Sequence, residues 1–204
     1  NKKYWNNSVG SKLIGRYTLN HVESDLAMNI GFRNSYDKSM AAGFALGATV
    51  LICSNGMISG EHALYRKHTG EANEEMNIFI TQSLNKSVEH FDRLVNSKNV
   101  MKETIFDKST INELIGRLVL EDETLRLEQL SIVKNEWHSK TPTFDYGVEK
   151  NSAWNIYNLC TYAIDRNTHP TLYISQHSKL LSTFEEMVGI EPTVTQETEL
   201  IIID

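Results

Sequence analysis

The segment DLAMNIGFR, Asp25–Arg33, decides the fold. Leu26, Met28, Ile30 and Phe32 fall on one side of it, and Ala27, Asn29, Gly31 and Arg33 on the other. A period of two is what a half-buried strand requires, because successive side chains leave the pleated backbone on opposite faces. Upstream, LIGRYTLNH (Leu13–His21) shows the same partial alternation. Val22, Glu23 and Ser24 form a break between the two that is short enough for an antiparallel hairpin. Downstream, NSYDKS (Asn34–Ser39) is rich in short polar side chains that bond back to their own backbone, so it reads as a turn or loop. Met40–Gly47 is small and punctuated by glycine, and fits strand or loop. ATVLIC (Ala48–Cys53) reads as a buried strand by its β-branched content, and Asn55–Gly56 follows as a tight-turn signal. Three antiparallel strands are expected.

The period then changes. From Glu74 to Lys98, Met76, Phe79, Ile80, Leu84, Val88, Phe91, Leu94 and Val95 recur at spacings of three and four. This predicts a long amphipathic helix, with Asn73 as N-cap and Glu74 and Glu75 at the positive end of its dipole. Its apolar face is suited to covering the sheet. Thr110 to Glu113 forms a capping-box pattern ahead of Ile111, Leu114, Ile115 and Leu118. A further helix is expected over Glu123–His138. Another, capped by Asn151 or Ser152, carries Trp154, Tyr157, Leu159, Cys160 and Ile164 and ends before His169–Pro170. The last runs near Ser175–Val188 and stops at Gly189. Lys140–Val148 reads as a loop, and Leu200–Ile203 as an edge strand or the chain's cut end. The fold class is therefore α+β: a three-stranded antiparallel sheet with a β-β-β-α core, then a mostly helical C-terminal half. One domain is expected over residues 1–204, with a β-rich basic part (1–70) and a helical acidic part (71–204).

Hydrophobic residues make up 40% of the chain and charged residues 23%, as in ordinary globular proteins and unlike disordered ones. No stretch approaches the ~18 apolar residues of a membrane span. The chain opens Asn-Lys-Lys-Tyr-Trp, without an initiator methionine or the apolar core of a signal peptide, as expected of a sequence trimmed at its start. Cys53 and Cys160 lie far apart among apolar neighbours, which points to free thiols and a reducing, cytoplasmic home. The net charge is −6, but it is unevenly spread. Residues 1–70 hold eight bases (Lys2, Lys3, Lys12, Arg16, Arg33, Lys38, Arg66, Lys67) against four acids (Glu23, Asp25, Asp37, Glu61). Such asymmetry marks a face for nucleic acid or another acidic partner, although one third of a single domain also differs this much by chance.

Motifs for catalysis are missing. The sequence has no phosphate loop, no dinucleotide fingerprint, no nucleophile elbow and no HExxH, and its seven histidines are scattered without metal-ligand spacing. Neither a cofactor nor a metal is indicated. Two loop segments stand out instead: Arg33–Ser39, where cationic, aromatic and hydrogen-bonding side chains lie close together, and Cys53–Met57. Cations supply phosphate contacts and an exposed tyrosine offers a face for a base to stack on. The alternative is that Asn34 and Asp37 close one turn and Asn55–Gly56 another. Arg66, Lys67 and His68 form a compact basic patch, Lys86, His90 and Arg93 share a helical stripe with Glu89 and Asp92 as neighbours, and Trp5 and Tyr4 sit beside Lys2 and Lys3. The candidate nucleic-acid contacts are Arg33, Tyr36, Lys38, Arg66, Lys67, Lys86 and Arg93.

Three of these segments also carry a resemblance. GFRNSYDKS (Gly31–Ser39), LICSNGM (Leu51–Met57) and SAWNIYNLCTYAIDR (Ser152–Arg166) resemble, in order and spacing, an uncharacterised family of phage- and plasmid-related proteins. The resemblance implies no catalytic residues, only a setting among replication and recombination functions of mobile elements. The β-β-β-α order also looks like the core of single-strand annealing recombinases, ring-forming proteins that bind single-stranded DNA between sheet and helices. By that analogy the chain is expected to bind single-stranded DNA as a homo-oligomer and to promote annealing. Two alternatives stand beside it: a metal-dependent nuclease or hydrolase using Asp37, His62 and a helical acid, and a module that binds a host protein through its acidic half.

Overall fold

The computed structural model describes residues 2–6, 9–53, 55–58, 64–66, 77, 78, 81, 85, 87–169 and 172–192. Six strands form one antiparallel sheet among these residues: β1 (Lys2–Asn6), β2 (Lys12–Glu23), β3 (Leu26–Ser35), β4 (Ala42–Val50), β5 (Gly56–Ile58) and β6 (Leu64–Arg66). The first five lie in chain order across the sheet. β6 pairs with β4, so β5 and β6 follow one another along the same edge of that strand. The expected three strands are thus corrected to six. Met40–Gly47 supplies most of β4, since its small residues pack closely between neighbours, while β5 and β6 are only three residues each and too short for periodicity to reveal. Ala48–Cys53 is not a strand throughout: β4 ends at Val50 and residues 51–53 turn.

The β2–β3 hairpin closes through Ser24 and Asp25, both with positive φ (48° and 66°), as a two-residue type I′ turn needs. β2 bulges between Thr18 and Val22, where four residues span what β3 spans in two. Cross-strand register assigns the faces. One carries Leu26, Met28, Ile30 and Phe32 with their β4 partners Val50, Ala48, Leu46 and Phe44. The other carries Ala27, Asn29, Gly31 and Arg33 opposite Thr49, Gly47, Ala45 and Gly43.

Among the described residues, five helices and a π-helical turn follow: α1 (Ser87–Glu103), α2 (Lys108–Gly116), the π turn (Arg117–Glu121), α3 (Leu127–His138), α4 (Ala153–Arg166) and α5 (Tyr173–Met187). Of the long helix expected over Glu74–Lys98, α1 covers the later part and extends to Glu103, five residues beyond Lys98; the expected start at Glu74 with Asn73 as N-cap lies outside the described residues. Asp107, whose carboxylate accepts from the Thr110 N–H, caps α2 in place of the Thr110–Glu113 box. α3 starts at Leu127 rather than Glu123, because Glu123 has a positive φ of 49° that no helix accepts. Ser152 caps α4 as expected, and Gly189 (φ 76°) ends α5. Leu200–Ile203 lies outside the described residues.

The main core joins Leu26, Met28, Ala48, Val50 and Met57 of the first face to Phe91, Leu94 and Val95 of α1, Trp154, Tyr157 and Cys160 of α4, and Leu180, Leu181 and Phe184 of α5. A smaller cluster on the second face brings Ala45 and Ile58 against Ile174 and Tyr173, in the first turn of α5. α5 therefore contributes to both clusters, and its start closes over part of the second face.

Candidate nucleic-acid interface

The β3–β4 turn is built by its own side chains. Ser35 Oγ donates to the Met40 carbonyl at 2.8 Å and accepts from the Met40 N–H at 3.0 Å. Asp37 Oδ1 accepts from both the N–H (3.0 Å) and the hydroxyl (2.5 Å) of Ser39. These bonds, with one from Ser11, hold the Asp37 carboxyl down at about 2. Lys38 adopts a positive φ of 58°. The result is a rigid tip on which Tyr36 is 95% exposed and Lys38 stands in solvent.

Other bases reach the same end of the sheet. Lys12 lies opposite Ser35, Arg33 lies between Ile14 and Gly43, and Arg66 pairs with Ala42 through the backbone. Arg33, Tyr36 and Lys38 are thus brought to one end of the sheet, with Lys12 added; Arg66 reaches that end by its backbone, at a register position of the first face. Arg93 is not among them. α1 docks beside the opposite end, where Phe91 meets the His21 ring at 5.1 Å and Lys98 reaches Ser24 and Asp25. Ten residues of β3 separate the two ends, roughly 30 Å of strand. Lys67 and Lys86 fall outside the described residues, as does His62 of the hydrolase alternative. Asp37 of that alternative is engaged in closing its turn, and among the described residues no three His, Cys, Asp or Glu side chains gather to hold a metal ion.

From the basic end, the second face leads to a cleft of about 210 Å³ between β1–β3 and the start of α5. Trp5, Ile14, Gly31, Ile58 and Ile174 form its apolar lining, and Arg16, Asp165, Thr168 and Tyr173 its polar end. Register places Ile14 and Arg16 on this face with Arg33 and Gly31, and Trp5 opposite Ile14. Gly31 leaves the floor bare: a β-carbon there would meet Ile174 only at 3.8 Å.

The polar end is a connected network. Arg16, 7% exposed, donates from Nη1 to the Tyr173 hydroxyl at 2.8 Å. The Asp165 carboxylate bears on the same hydroxyl. Burial, then the Asp165 charge, pushes the phenol well above its ordinary value, so it stays protonated. Asp165 Oδ1 accepts from His177 Nε2 at 3.0 Å, and the Tyr173 and His177 rings lie 4.3 Å apart. His177 is fully buried, so it orients Asp165 and does not reach the cleft. Thr168 is fixed by Gln129 and Gln176, each at 2.6 Å, and Gln176 in turn donates to the Thr124 carbonyl. The arrangement presents fixed charge and donors beside an apolar slot. It suits binding.

In the sequence Arg16 stands out only as a charge, and Asp165, Thr168 and Tyr173 carry no motif that marks them. One sign was available: Arg16 alternates with Ile14 in LIGRYTLNH, which places a cation on a face shared with a buried residue. Asn55–Gly56 is also more than a turn. The Asn55 amide, 2% exposed, donates to the Asn158 carbonyl (3.3 Å) and the Thr161 hydroxyl (3.0 Å) of α4. Two of the three segments that carry the resemblance therefore meet in space.

Fold and site together define an α+β protein whose antiparallel sheet pairs one helix-covered face with a partly open, basic one. The chain belongs to the family described as domain of unknown function (DUF932), whose model matches residues 2–192. No curated protein and no solved structure matches it. Among the described residues, no helix is long and apolar enough to cross a membrane.

Proposed function

We propose that this chain binds single-stranded DNA along the second face of its sheet, as a non-cutting protein of phage or plasmid DNA metabolism that anneals strands as a homo-oligomer. The observation that carries the reading is the gathering of Lys12, Arg33 and Lys38 beside exposed Tyr36, on a face that continues to Trp5 and Arg16. A single strand needs cations for its phosphates and rings for its bases, without a groove code, and a sheet face with interleaved bases and aromatics provides both. The remainder of the chain, residues 71–204, carries twelve bases and twenty-two acids, so repulsion from the helical half steers a polyanion towards the sheet.

The test is fluorescence anisotropy of a labelled single-stranded oligonucleotide at two salt concentrations, with a duplex control. The reading expects preference for the single strand and an affinity that falls steeply with salt, by a log–log slope of about −0.7 per phosphate contact. Absence of binding at low salt refutes it. An oligonucleotide cut in the presence of divalent metal points instead to the hydrolase alternative.

A further inference from the structure

The cleft at the inner end of the proposed interface has a shape and lining that the phosphate-binding cations do not explain. At about 210 Å³ it is smaller than the roughly 300–1,000 Å³ of sites for drug-sized ligands, so it suits one flat ring system. Its walls are Trp5 and the isoleucines Ile14, Ile58 and Ile174, and its floor is the bare backbone of Gly31. Its polar end offers a carboxylate, Asp165, which is held in place by buried His177 and so cannot swing away. His177 engages only Oδ1 of that carboxylate and the side chain keeps 18% exposure, so an occupant of the slot can add an N–H donor to it. Nucleobase edges carry such amino and imino donors, and nucleobase faces stack on aromatic rings. The slot also opens on the same sheet face as Lys12 and Arg33, so a strand lying over those cations passes its mouth.

We propose that this cleft takes a single base of the bound strand, turned inward against Trp5 with its donor edge towards Asp165. The proposal rests on the single-strand reading and adds a base-reading pocket to it. It makes affinity depend on the presence of a base as well as on phosphate charge, and favours bases with an exocyclic amino group over thymine, whose N3–H is flanked by two carbonyl oxygens that a carboxylate repels.

The experiment compares three oligonucleotides of equal length: one of cytosines, one of thymines and one in which every residue is abasic. Each is titrated against the unaltered protein, Gly31→Val, Trp5→Ala and Trp5→Phe. A valine at Gly31 suits a strand and extends into the slot, and circular dichroism checks that each variant keeps the fold. The unaltered protein should bind the cytosine strand about tenfold more tightly than the abasic one, the scale of one stacked base. It should also prefer cytosine to thymine. Gly31→Val and Trp5→Ala should erase the cytosine preference and shrink the gap to the abasic strand to what stacking on Tyr36 leaves, while keeping abasic binding, and Trp5→Phe should restore the preference in part. Equal binding of base-bearing and abasic strands by the unaltered protein overturns the pocket and leaves the single-strand reading intact. An unchanged preference in folded Gly31→Val overturns the pocket as well. No binding of any strand overturns both.

Discussion

Asp37 shows how one side chain is diverted from chemistry to architecture. Its carboxylate is solvated, yet Ser39 and Ser11 hold it at about 2, below the ordinary carboxylate value near 3.9. A depressed folded-state pKa contributes stability that is complete above about pH 4 and is lost as pH falls through 2. An NMR titration of the Asp37 carboxyl carbon should give a midpoint near 2, and a midpoint near 4 would show that the turn bonds do not persist. Asn55 makes a comparable commitment in the interior, where its amide joins the β4–β5 connection to α4. Asn55→Ala should cost about 2 kcal/mol in urea unfolding, the scale of a buried polar group left unpaired. Asn34→Ala, on the exposed turn, should stay within about 0.5 kcal/mol. Equal effects at the two sites would contradict the tether.

At the scale of elements, α1 is fastened to the β2–β3 turn by Lys98. The side chain is 1% exposed, donates to Ser24 Oγ at 3.2 Å, and lies 3.6 Å from the carboxylate of Asp25, which is itself 75% exposed. Burial lowers the pKa of this ammonium, so at neutral pH its charge is held at a cost that Asp25 only partly offsets. Lys98→Met, which keeps the stem and removes the charge, should leave stability unchanged or raise it by about 1 kcal/mol. Lys98→Ala should lose about 2 kcal/mol through lost packing. Because the folded-state pKa is depressed, any advantage of Lys98→Met should shrink as pH rises and the native lysine sheds its proton. An advantage that grows with pH would contradict the assignment. Elements differed in how far the sequence revealed them. β2 and β3 show their period because each has a face of larger apolar residues, and the α4 and α5 limits follow from Ser152 and Gly189. β1, β5 and β6 are too short to show a period, and β4 is disguised by Ala42, Gly43, Ala45 and Gly47, small residues chosen for close strand packing and not for a face.

For the whole molecule, the candidate site was legible only in its outer half. Arg33, Tyr36 and Lys38 are neighbours in sequence and so could be read together. The cleft unites Trp5, Arg16, Gly31, Asp165 and Tyr173, which only strand register and helix packing bring into contact. Arg93 could be grouped with them on charge alone, until the fold put it at the far end of the sheet. That separation supplies the most direct test of the proposed face. The salt dependence of single-strand affinity should be measured for the unaltered protein, Lys38→Ala, Arg33→Ala and Arg93→Ala. The account predicts that the log–log slope falls by about 0.7 for each of Lys38→Ala and Arg33→Ala and is unchanged for Arg93→Ala. A slope that falls for Arg93→Ala and holds for the other two would contradict it, and would move the interface to the helical side of the molecule.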